Sequence, residues 1–280
     1  MISGQLKKMR TELITDTGDI NKDSNVKYFL PLGEQELAMN PYIGQYLKLE
    51  FLGEINCSYC DKKTKKSFSQ GYCFPCMKKL ARCDMCIMKP ETCHFHLGTC
   101  REPQWGEANC FVPHYVYLAN TSGLKVGITR HSQIPTRWLD QGATQATIMF
   151  KVNTRQQSGL VEMAFKDLIA DKTNWRTMLK ENQPDRDLLS EAHQLKEKLT
   201  ASIDSIIQSA PTGDIEKQEN TITSIRYPVL EFPIKIKSHN FDKNNIVEGT
   251  LMGIKGQYLI FDTGVINIRK FTSYEIRVHS

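Results

Sequence analysis

The sequence predicts an α+β protein that is stabilised in part by metal, and three observations lead to this fold class. All nine cysteines fall between Cys57 and Cys110, which predicts a zinc-ribbon-like block. The residues that follow alternate short β-rich runs with helical patterns, as expected for a small α/β domain and a long amphipathic helix. The last part of the chain is β-rich without a helical pattern, which predicts a small β-barrel or meander.

The first half of the Cys-rich block contains two C-x-x-C motifs. Their four thiols are those of Cys57, Cys60, Cys73 and Cys76, with twelve residues between the two pairs. A C-x-x-C turn directs two thiolates toward one ion, and two such turns complete a tetrahedral zinc site with Zn–S distances of about 2.3 Å. The first residues contain no apolar segment of a secretory signal. We therefore expect a cytoplasmic, reducing location, where paired motifs indicate metal rather than disulfides.

The second half of the block predicts a second zinc site. Its preferred ligands are four thiols in one short segment, those of Cys83, Cys86, Cys93 and Cys100. Four other side chains within reach in the sequence could replace one of them, namely His94, His96, Cys110 and His114. Four protein ligands leave no open position for water, so both sites are predicted to be structural rather than catalytic.

The chain carries a net charge of +5, and positive charge is concentrated in its middle. Between Cys57 and Arg137 there are twelve Lys or Arg residues against five Asp or Glu residues. Four of these lysines form the KKTKK run, which consists of Lys62, Lys63, Lys65 and Lys66. A zinc ion with four thiolates is a dianion, so two such sites would offset part of the excess. Taken alone, the remaining small excess is more typical of a solvated face, and it is also compatible with binding of nucleic-acid phosphates.

Residues 1–56 are predicted to form an irregular lead-in and then a strand that begins near Tyr46 and runs into the first C-x-x-C motif. The Cys-rich block follows at 57–110. It has little apolar sequence, so metal must replace part of a hydrophobic core. No stretch of the chain is long and apolar enough for a transmembrane helix, and we expect no membrane partner.

Residues 111–183 are predicted to form the small α/β domain. Two β-rich runs flank a turn at 120–123 and predict a β-hairpin. A short helix near Pro135, a third strand from Ala146 and a helix that begins at Ser158 are expected to follow.

Residues 184–212 are predicted to form the long amphipathic helix, because apolar residues recur at three- and four-residue steps from Leu188 to Ile206. This stripe could pack on the α/β domain or bind a protein partner, and the first alternative is preferred. A polar linker is expected after the helix. Residues 224–280 are predicted to form a C-terminal β unit of several short strands, which the strand near Tyr46 could join.

The middle segment carries a set of residues in a recognisable order: Tyr115 and Tyr117, then Lys125, Gly127 and Thr129, then Arg137 and Trp138, and a helix with Glu162. In this order the segment resembles the GIY-YIG nuclease superfamily. Its members are small α/β modules that open with a β-hairpin and cut nucleic-acid phosphodiesters with one divalent cation. Most of the chain is also similar to an uncharacterised bacterial family that joins a Cys-rich zinc block to a divergent GIY-YIG-like segment. That second resemblance brings no function with it.

The resemblance to the nucleases implies roles for individual residues. Tyr117 matches the tyrosine that closes the first motif, and Gly127 matches the glycine of the second, where the backbone passes close to the active site. Arg137 matches the arginine that contacts the scissile phosphate, and Glu162 matches the single metal-binding carboxylate. The sequence departs from the pattern at Lys125, which stands where the superfamily has its second tyrosine.

The chemistry of phosphodiester hydrolysis can be compared with these residues. The reaction needs a cation, a positive charge for the transition state and a base for the attacking water. Glu162 could hold Mg²⁺ or Mn²⁺, and Arg137 offers a fork of donors for phosphate oxygens. Tyr117 could act as the base only if its pKa, about 10 in water, is lowered. Lys125 could lower that pKa, or it could mark a domain that has lost catalysis.

Three function classes follow from the sequence. The chain is a GIY-YIG-type endonuclease, a non-catalytic module that binds nucleic acid, or a protein–protein adaptor whose long helix and terminal β unit carry the interface. The presence of Arg137 and Glu162 favours the enzyme, and Lys125 favours the non-catalytic module. In both nucleic-acid-binding alternatives, the KKTKK lysines and Arg130 are expected to contact DNA or RNA phosphates.

Overall fold

The structure, a computed structural model, describes residues 1–14, 26–166, 168–169, 172–209, 215–218 and 221–279. The strands in these residues are β1 Ile2–Gln5, β2 Arg10–Leu13, β3 Val26–Leu32, β4 Gln35–Ala38, β5 Tyr46–Ile55, β6 His114–Asn120, β7 Leu124–Arg130, β8 Gln145–Val152, β9 Glu216–Lys217, β10 Thr223–Ser224, β11 Ile246–Lys255, β12 Tyr258–Phe261, β13 Gly264–Asn267 and β14 Tyr274–His279. The α-helices are α1 Phe74–Lys79, α2 Pro103–Cys110, α3 Thr136–Asp140, α4 Arg155–Phe165, α5 Trp175–Met178, α6 Leu188–Lys198 and α7 Thr200–Ser209.

The largest sheet has six antiparallel strands in the order β1-β14-β5-β11-β12-β13. Strand β5, which ends just before the first C-x-x-C motif, lies between β14 and β11. The strand near Tyr46, which the sequence allowed to join the C-terminal β unit, therefore does join it. Among the described strands the sheet stays open, with β1 and β13 at its edges, so the structure shows a meander and not a closed barrel. Alternate residues of β14, Ile276 and Val278, are buried, as expected for a sheet with one face on the core.

The N-terminal residues are more ordered than an irregular lead-in. Strand β1 extends the large sheet at its edge, and β2, β3 and β4 form a separate antiparallel sheet. Leu6 and Met9, between β1 and β2, are fully buried. The sequence pattern misses β1 and β2 because each has only four residues and most of these are polar. Residues 15–25, which carry most of the polar run behind the lead-in prediction, lie outside the described residues.

The middle of the chain forms a five-stranded sheet in which β6 lies between β7 and β8, while β9 and β10 both pair with β8. The predicted β6–β7 hairpin is confirmed, and α3 connects it to the third predicted strand, β8. The following helix, α4, begins at Arg155 and not at Ser158. Its N-cap is Thr154, whose side chain accepts a hydrogen bond from the Gln157 N–H.

The predicted long helix consists of two helices, α6 and α7, which are separated at Leu199. Leu188, Ala192, Leu199 and Ile203 from its apolar stripe are buried in one core with residues of β6 and α4. The intramolecular alternative for this stripe is therefore the one observed. Part of the expected linker runs beside β8 as β9, and residues 210–214 and 219–220 lie outside the described residues. None of the helices in the described ranges has the length and apolar character that crossing a membrane requires.

The C-terminal unit differs from the prediction at its start. The alternating apolar residues of 229–237 predict a strand, but within this segment only Val229 forms a β-bridge, to Gly253. Pro228 and Pro233 remove backbone donors here, which prevents a continuous ladder. The two segments still approach closely, because a Cβ added at Gly253 would lie 2.6 Å from the Cα of Val229.

Candidate functional site

Four thiols at the start of the Cys-rich block converge. The Sγ atoms of Cys57, Cys60, Cys73 and Cys76 all lie within 4.8 Å of one another, and those of Cys60 and Cys73 are 3.8 Å apart. A tetrahedral site with Zn–S bonds of about 2.3 Å places neighbouring sulfurs about 3.8 Å apart. All nine cysteines are free thiols. The first quartet could therefore hold a zinc ion, as its spacing predicts.

Local structure explains why these thiols meet. Cys57 follows the end of β5, and Cys73 is the N-cap of α1, so Cys76 lies in the first turn of that helix. The loop between the two pairs is held against the C-terminal unit, because the Ser273 hydroxyl donates to the Gly71 carbonyl at 2.6 Å. The quartet thus connects the Cys-rich block to the large sheet.

The thiols of the first quartet differ in their electrostatic surroundings. Burial alone would raise the pKa of Cys57, but backbone N–H groups, first that of Cys73 and then that of Cys60, outweigh burial and lower this pKa to about 6. Burial and the neighbouring thiols raise the pKa of Cys76. A divalent cation would remove the remaining protons, because thiols bind such an ion as thiolates.

The second half of the block surrounds a small cavity of about 20 Å³, which is room for one water-sized particle. Four thiols line this cavity, those of Cys86, Cys93, Cys100 and Cys110. Cys83 is not among the lining residues and packs beside the first quartet. Of the second set predicted from the sequence, Cys86, Cys93 and Cys100 line this cavity and Cys83 does not. Of the thiols that line the cavity, only that of Cys86 belongs, among the described residues, to a group of three ligand atoms within 4.8 Å of one another, which is a tighter spacing than sharing a cavity.

Two other polar side chains line the same cavity. Asp84, Cys86 and His94 have ligand atoms within 4.8 Å of one another, so they form a further group that could hold a metal ion. Both polar groups already have partners. Asp84 Oδ2 accepts from Arg101 Nε at 2.8 Å, and His94 Nδ1 lies 2.7 Å from Thr99 Oγ1.

The remaining predicted alternatives for the second site lie apart from the cavity. His96 is exposed, whereas His114 is fully buried, and neither lines the cavity. His114 Nδ1 donates to the Val112 carbonyl at 2.7 Å, and its Nε2 is buried without a hydrogen-bond partner among the described residues. Burial lowers the pKa of His114 to about 4, and the charges of Arg155 and Arg130 act in the same direction. The ring is therefore neutral at pH 7.

The residues that match the nuclease motifs lie around Tyr117, which is fully buried on β6. Gly127 lies opposite it on β7, and a Cβ added there would be 2.5 Å from both Cζ and Oη of Tyr117. The tyrosine ring thus occupies the space that a side chain at Gly127 would need. The Tyr117 hydroxyl donates to Gln141 Oε1 at 2.8 Å, just after α3.

Arg137 and Glu162 both act on Tyr117. Burial raises the pKa of Tyr117, Glu162 adds to this increase through its charge, and Arg137 opposes it through its charge and a hydrogen bond. The structure thus places Arg137 of α3 and Glu162 of α4 within electrostatic range of Tyr117 on β6. Because the pKa of Tyr117 is raised, its hydroxyl stays protonated at neutral pH, and the requirement for a tyrosine base is not met in this state.

The other two predicted residues of the hairpin lie on β7. Lys125 is almost completely buried, and Arg130 ends the strand and donates to the Asn109 side chain of α2. Burial lowers the pKa of Arg155 at the start of α4, and the charges of Arg130 and Arg137 add to this effect. Arg130 at the end of β7 and Arg137 of α3 thus lie within electrostatic range of Arg155.

The KKTKK run lies in the loop between the two C-x-x-C motifs. All of its lysines are exposed: Lys62, Lys63, Lys65 and Lys66. Lys63 Nζ lies 2.7 Å from Glu54 Oε1, and Lys66 Nζ lies over the Phe68 ring at 5.5 Å from its centroid. These are surface contacts that a polyanion could replace.

Two residues near the site have no signal in the sequence pattern. Gln141 accepts the Tyr117 hydroxyl hydrogen bond. Arg155 donates from Nη2 to the Ile87 carbonyl at 2.7 Å, and its Nε is buried without a partner among the described residues. Both occupy helix ends, where polar residues are ordinary, and only the packing of α3 and α4 shows their role.

The fold and the first quartet define a mixed α and β protein with a Cys-rich site that could bind metal. A family model described as "Protein of unknown function (DUF2797)" matches residues 44–276, and the chain belongs to this family. No curated protein and no solved structure shows a significant match to the sequence. The family agrees with the predicted membership of an uncharacterised family and assigns no activity to the residues around Tyr117.

Proposed function

We propose that this protein binds nucleic acid through its phosphates, at a site formed by Arg137, Tyr117 and Glu162 in a divergent GIY-YIG-like domain that structural zinc stabilises. The observation that carries this proposal is the Arg137 side chain, which is only half-buried and whose buried Nε has no hydrogen-bond partner among the described residues. A phosphate oxygen is a suitable partner for such a group, because guanidinium groups bind phosphate through a fork of N–H donors. We expect the protein to act in the cytoplasm, where thiols stay reduced.

The surrounding charges support an anionic ligand. Arg155 interacts with the Cys110 thiol, with Arg130 and with Arg137, and Arg269 interacts first with Asp140 and then with Arg137. Like charges that gather in this way destabilise the fold unless anionic groups balance them. The exposed KKTKK run supplies additional positive charge for a long polyanion.

Catalysis is the second candidate function of this site. A carboxylate at Glu162 and a guanidinium at Arg137, both in electrostatic range of Tyr117, favour an endonuclease that holds Mg²⁺ or Mn²⁺ beside the scissile phosphate. The raised pKa of Tyr117 and the lysine at position 125 favour a module that binds without cutting. The adaptor alternative has less support, because apolar residues of the α6–α7 stripe are buried within the chain.

Binding to nucleic acid is expected to weaken steeply as the salt concentration rises. On duplex DNA the logarithm of the binding constant falls with the logarithm of salt concentration by about 0.9 per phosphate contact, because each contact releases counterions. Replacing the four lysines of the KKTKK run with Ala should reduce this slope, and Arg137→Ala should weaken binding at every salt concentration. Fluorescence anisotropy with labelled duplex DNA and single-stranded RNA measures both effects.

Two variants serve as controls for this experiment. Arg137→Lys keeps the positive charge but loses the planar fork, so it should restore only part of the lost affinity. Lys243→Ala removes an exposed charge from the C-terminal unit and should change the affinity little. Absence of binding to both DNA and RNA at low salt would contradict the proposal and favour a protein partner.

If the site also cuts, Glu162→Gln is expected to abolish cleavage that depends on Mg²⁺ or Mn²⁺ while keeping or improving nucleic-acid binding. Glutamine preserves the volume of the side chain but removes the charge that would hold the cation. A cleavage assay with single-stranded, duplex and branched substrates, run beside the anisotropy measurement, separates the loss of chemistry from a loss of binding.

Lys125→Tyr is the complementary variant, since it restores the tyrosine of the superfamily motif. Cleavage by this variant but not by the wild type indicates a degenerate catalytic site. A cleavage rate lower than that of the wild type shows that Lys125 itself contributes to the reaction. If the wild type cuts none of the substrates and folded Lys125→Tyr protein gains no activity, the endonuclease is ruled out and the non-catalytic module remains.

A further inference from the structure

We propose that Cys86, Cys93, Cys100 and Cys110 form a second structural zinc site, and that Cys83 remains a free thiol. The four proposed ligands line one cavity of about 20 Å³. A single ion fits a space of this size, and thiolates are among the ligands that zinc prefers. The proposal is independent of what the site around Arg137 binds.

Separate short elements bring the four thiols to the cavity. Cys86 lies in a 3-10 turn, Cys93 follows the next such turn, and Cys110 is the last residue of α2. Cys100 precedes α2, and a Cβ added at Gly106 of that helix would lie 3.3 Å from the Cys100 Sγ. The absence of a side chain at Gly106 therefore lets α2 close over the cavity beside the thiols.

A second observation indicates a negatively charged occupant. Arg155 Nη2 donates to the carbonyl of Ile87, the residue after Cys86, at 2.7 Å. The Nε of the same guanidinium is buried without a partner among the described residues. A zinc ion with four thiolates is a dianion, and a partly buried guanidinium next to it would balance that charge and donate to its sulfurs.

Asp84 and His94 line the same cavity and have ligand atoms within 4.8 Å of that of Cys86, so they compete with the other thiols for the ion. Arg101 holds the Asp84 carboxylate, and Thr99 contacts the His94 ring. A zinc-binding histidine also keeps a hydrogen bond on its other ring nitrogen, so the Thr99 contact alone does not decide the role of His94, and the His94→Gln variant does. Cys83 packs beside the first quartet and does not line the cavity.

The proposed site has a structural consequence for α4. A Cβ added at Gly159 of this helix would lie 2.6 Å from the backbone nitrogen of Glu91, in the loop between Cys86 and Cys93. The Gln156 side chain also lies 3.4 Å from the Cys93 carbonyl. Zinc would thus fix this loop against the helix that carries Arg155 and Glu162.

The first test is the zinc content of the purified full-length protein and its single variants. The wild type should contain about two zinc ions per chain, Cys110→Ser about one, and Cys83→Ser about two, because each quartet holds one ion. Asp84→Asn and His94→Gln should keep both ions. Loss of an ion from Cys83→Ser with full zinc in Cys110→Ser would overturn the proposal, as would loss of an ion from either of the other two variants.

A measurement on the wild type covers the case in which Cys110→Ser does not fold. Brief treatment of the native, zinc-loaded protein with iodoacetamide, followed by peptide mass mapping, should label Cys83 alone among the nine thiols. Thiolates that are bound to zinc are protected, whereas chelator with denaturant should make all of them reactive. Labelling of Cys110 together with protection of Cys83 would reverse the assignment.

Discussion

Cys73→Ser is expected to remove one zinc ion from the protein and to unfold the Cys-rich block. In zinc-finger peptides the apparent binding free energy of a structural zinc ion is about 10–16 kcal/mol, and the stability of a whole domain is about 5–15 kcal/mol. We expect zinc binding by the first quartet to supply a comparable share of the stability of the block. The apolar cluster around the quartet has only four buried members among the described residues: Cys57, Cys73, Cys76 and Leu80. A serine hydroxyl does not replace a thiolate as a zinc ligand.

The effect of Cys73→Ser should extend beyond the block. The Asn56 N–H donates to the Ser273 carbonyl at 3.0 Å, and the Ser273 hydroxyl donates to the Gly71 carbonyl, so the block is attached to the large sheet. A loss of about 5 kcal/mol lowers the unfolding midpoint by roughly 10 °C or more in a chain of this size. Thermal unfolding followed by circular dichroism, together with metal analysis, measures both consequences.

The control for this prediction is Cys83→Ser. It makes the same chemical change in the same block, at a thiol that we assign to neither zinc site, and it should leave zinc content and unfolding temperature near those of the wild type. Freshly purified, reduced wild-type protein without zinc would contradict the metal assignment. So would a Cys73→Ser variant that retains its zinc and its unfolding temperature.

The parts of the molecule that follow from the sequence are those whose geometry is local. A C-x-x-C turn brings its own two thiols together, so the spacing of the first quartet is enough to predict it. The β6–β7 hairpin is similarly encoded by a turn between two β-rich runs. Strand β1 could not be found in this way, because its partner is β14, at the other end of the chain, and its own residues show no clear alternation.

The candidate sites are also predictable from the sequence only where their geometry is local. Spacing predicts a metal site in the second half of the block, but it does not decide between Cys83 and Cys110 as a ligand. That choice depends on how α2 folds back over the loop, and α2 itself packs according to residues such as Gly106. The role of Arg155 depends on the contact of α4 with the same loop. Such contacts arise from tertiary packing and leave no periodic pattern in the sequence.

Gly127→Ala is expected to destabilise the protein strongly, because the new Cβ would lie 2.5 Å from Cζ and Oη of Tyr117. The tyrosine ring has little freedom to move. It is fully buried, it packs against Trp138 at a centroid distance of 6.1 Å, and Gln141 accepts its hydroxyl hydrogen bond. Overpacking of a core costs about 1–3 kcal/mol and occasionally more, and this variant should fall at or above the upper end. Urea unfolding gives the change in free energy of unfolding.

A double-mutant cycle with Tyr117→Leu isolates this clash. Leucine lacks the ring atoms and the hydroxyl that the new Cβ would meet, so Gly127→Ala should cost much less in the Tyr117→Leu background, with a coupling of about 1–3 kcal/mol. Equal costs in the two backgrounds would mean that alanine acts through the backbone instead. Gly127→Ala should also weaken nucleic-acid binding, because the displaced ring carries the hydroxyl that lies beside Arg137. If this variant is destabilised yet binds with wild-type affinity while folded, Tyr117 does not belong to the phosphate site.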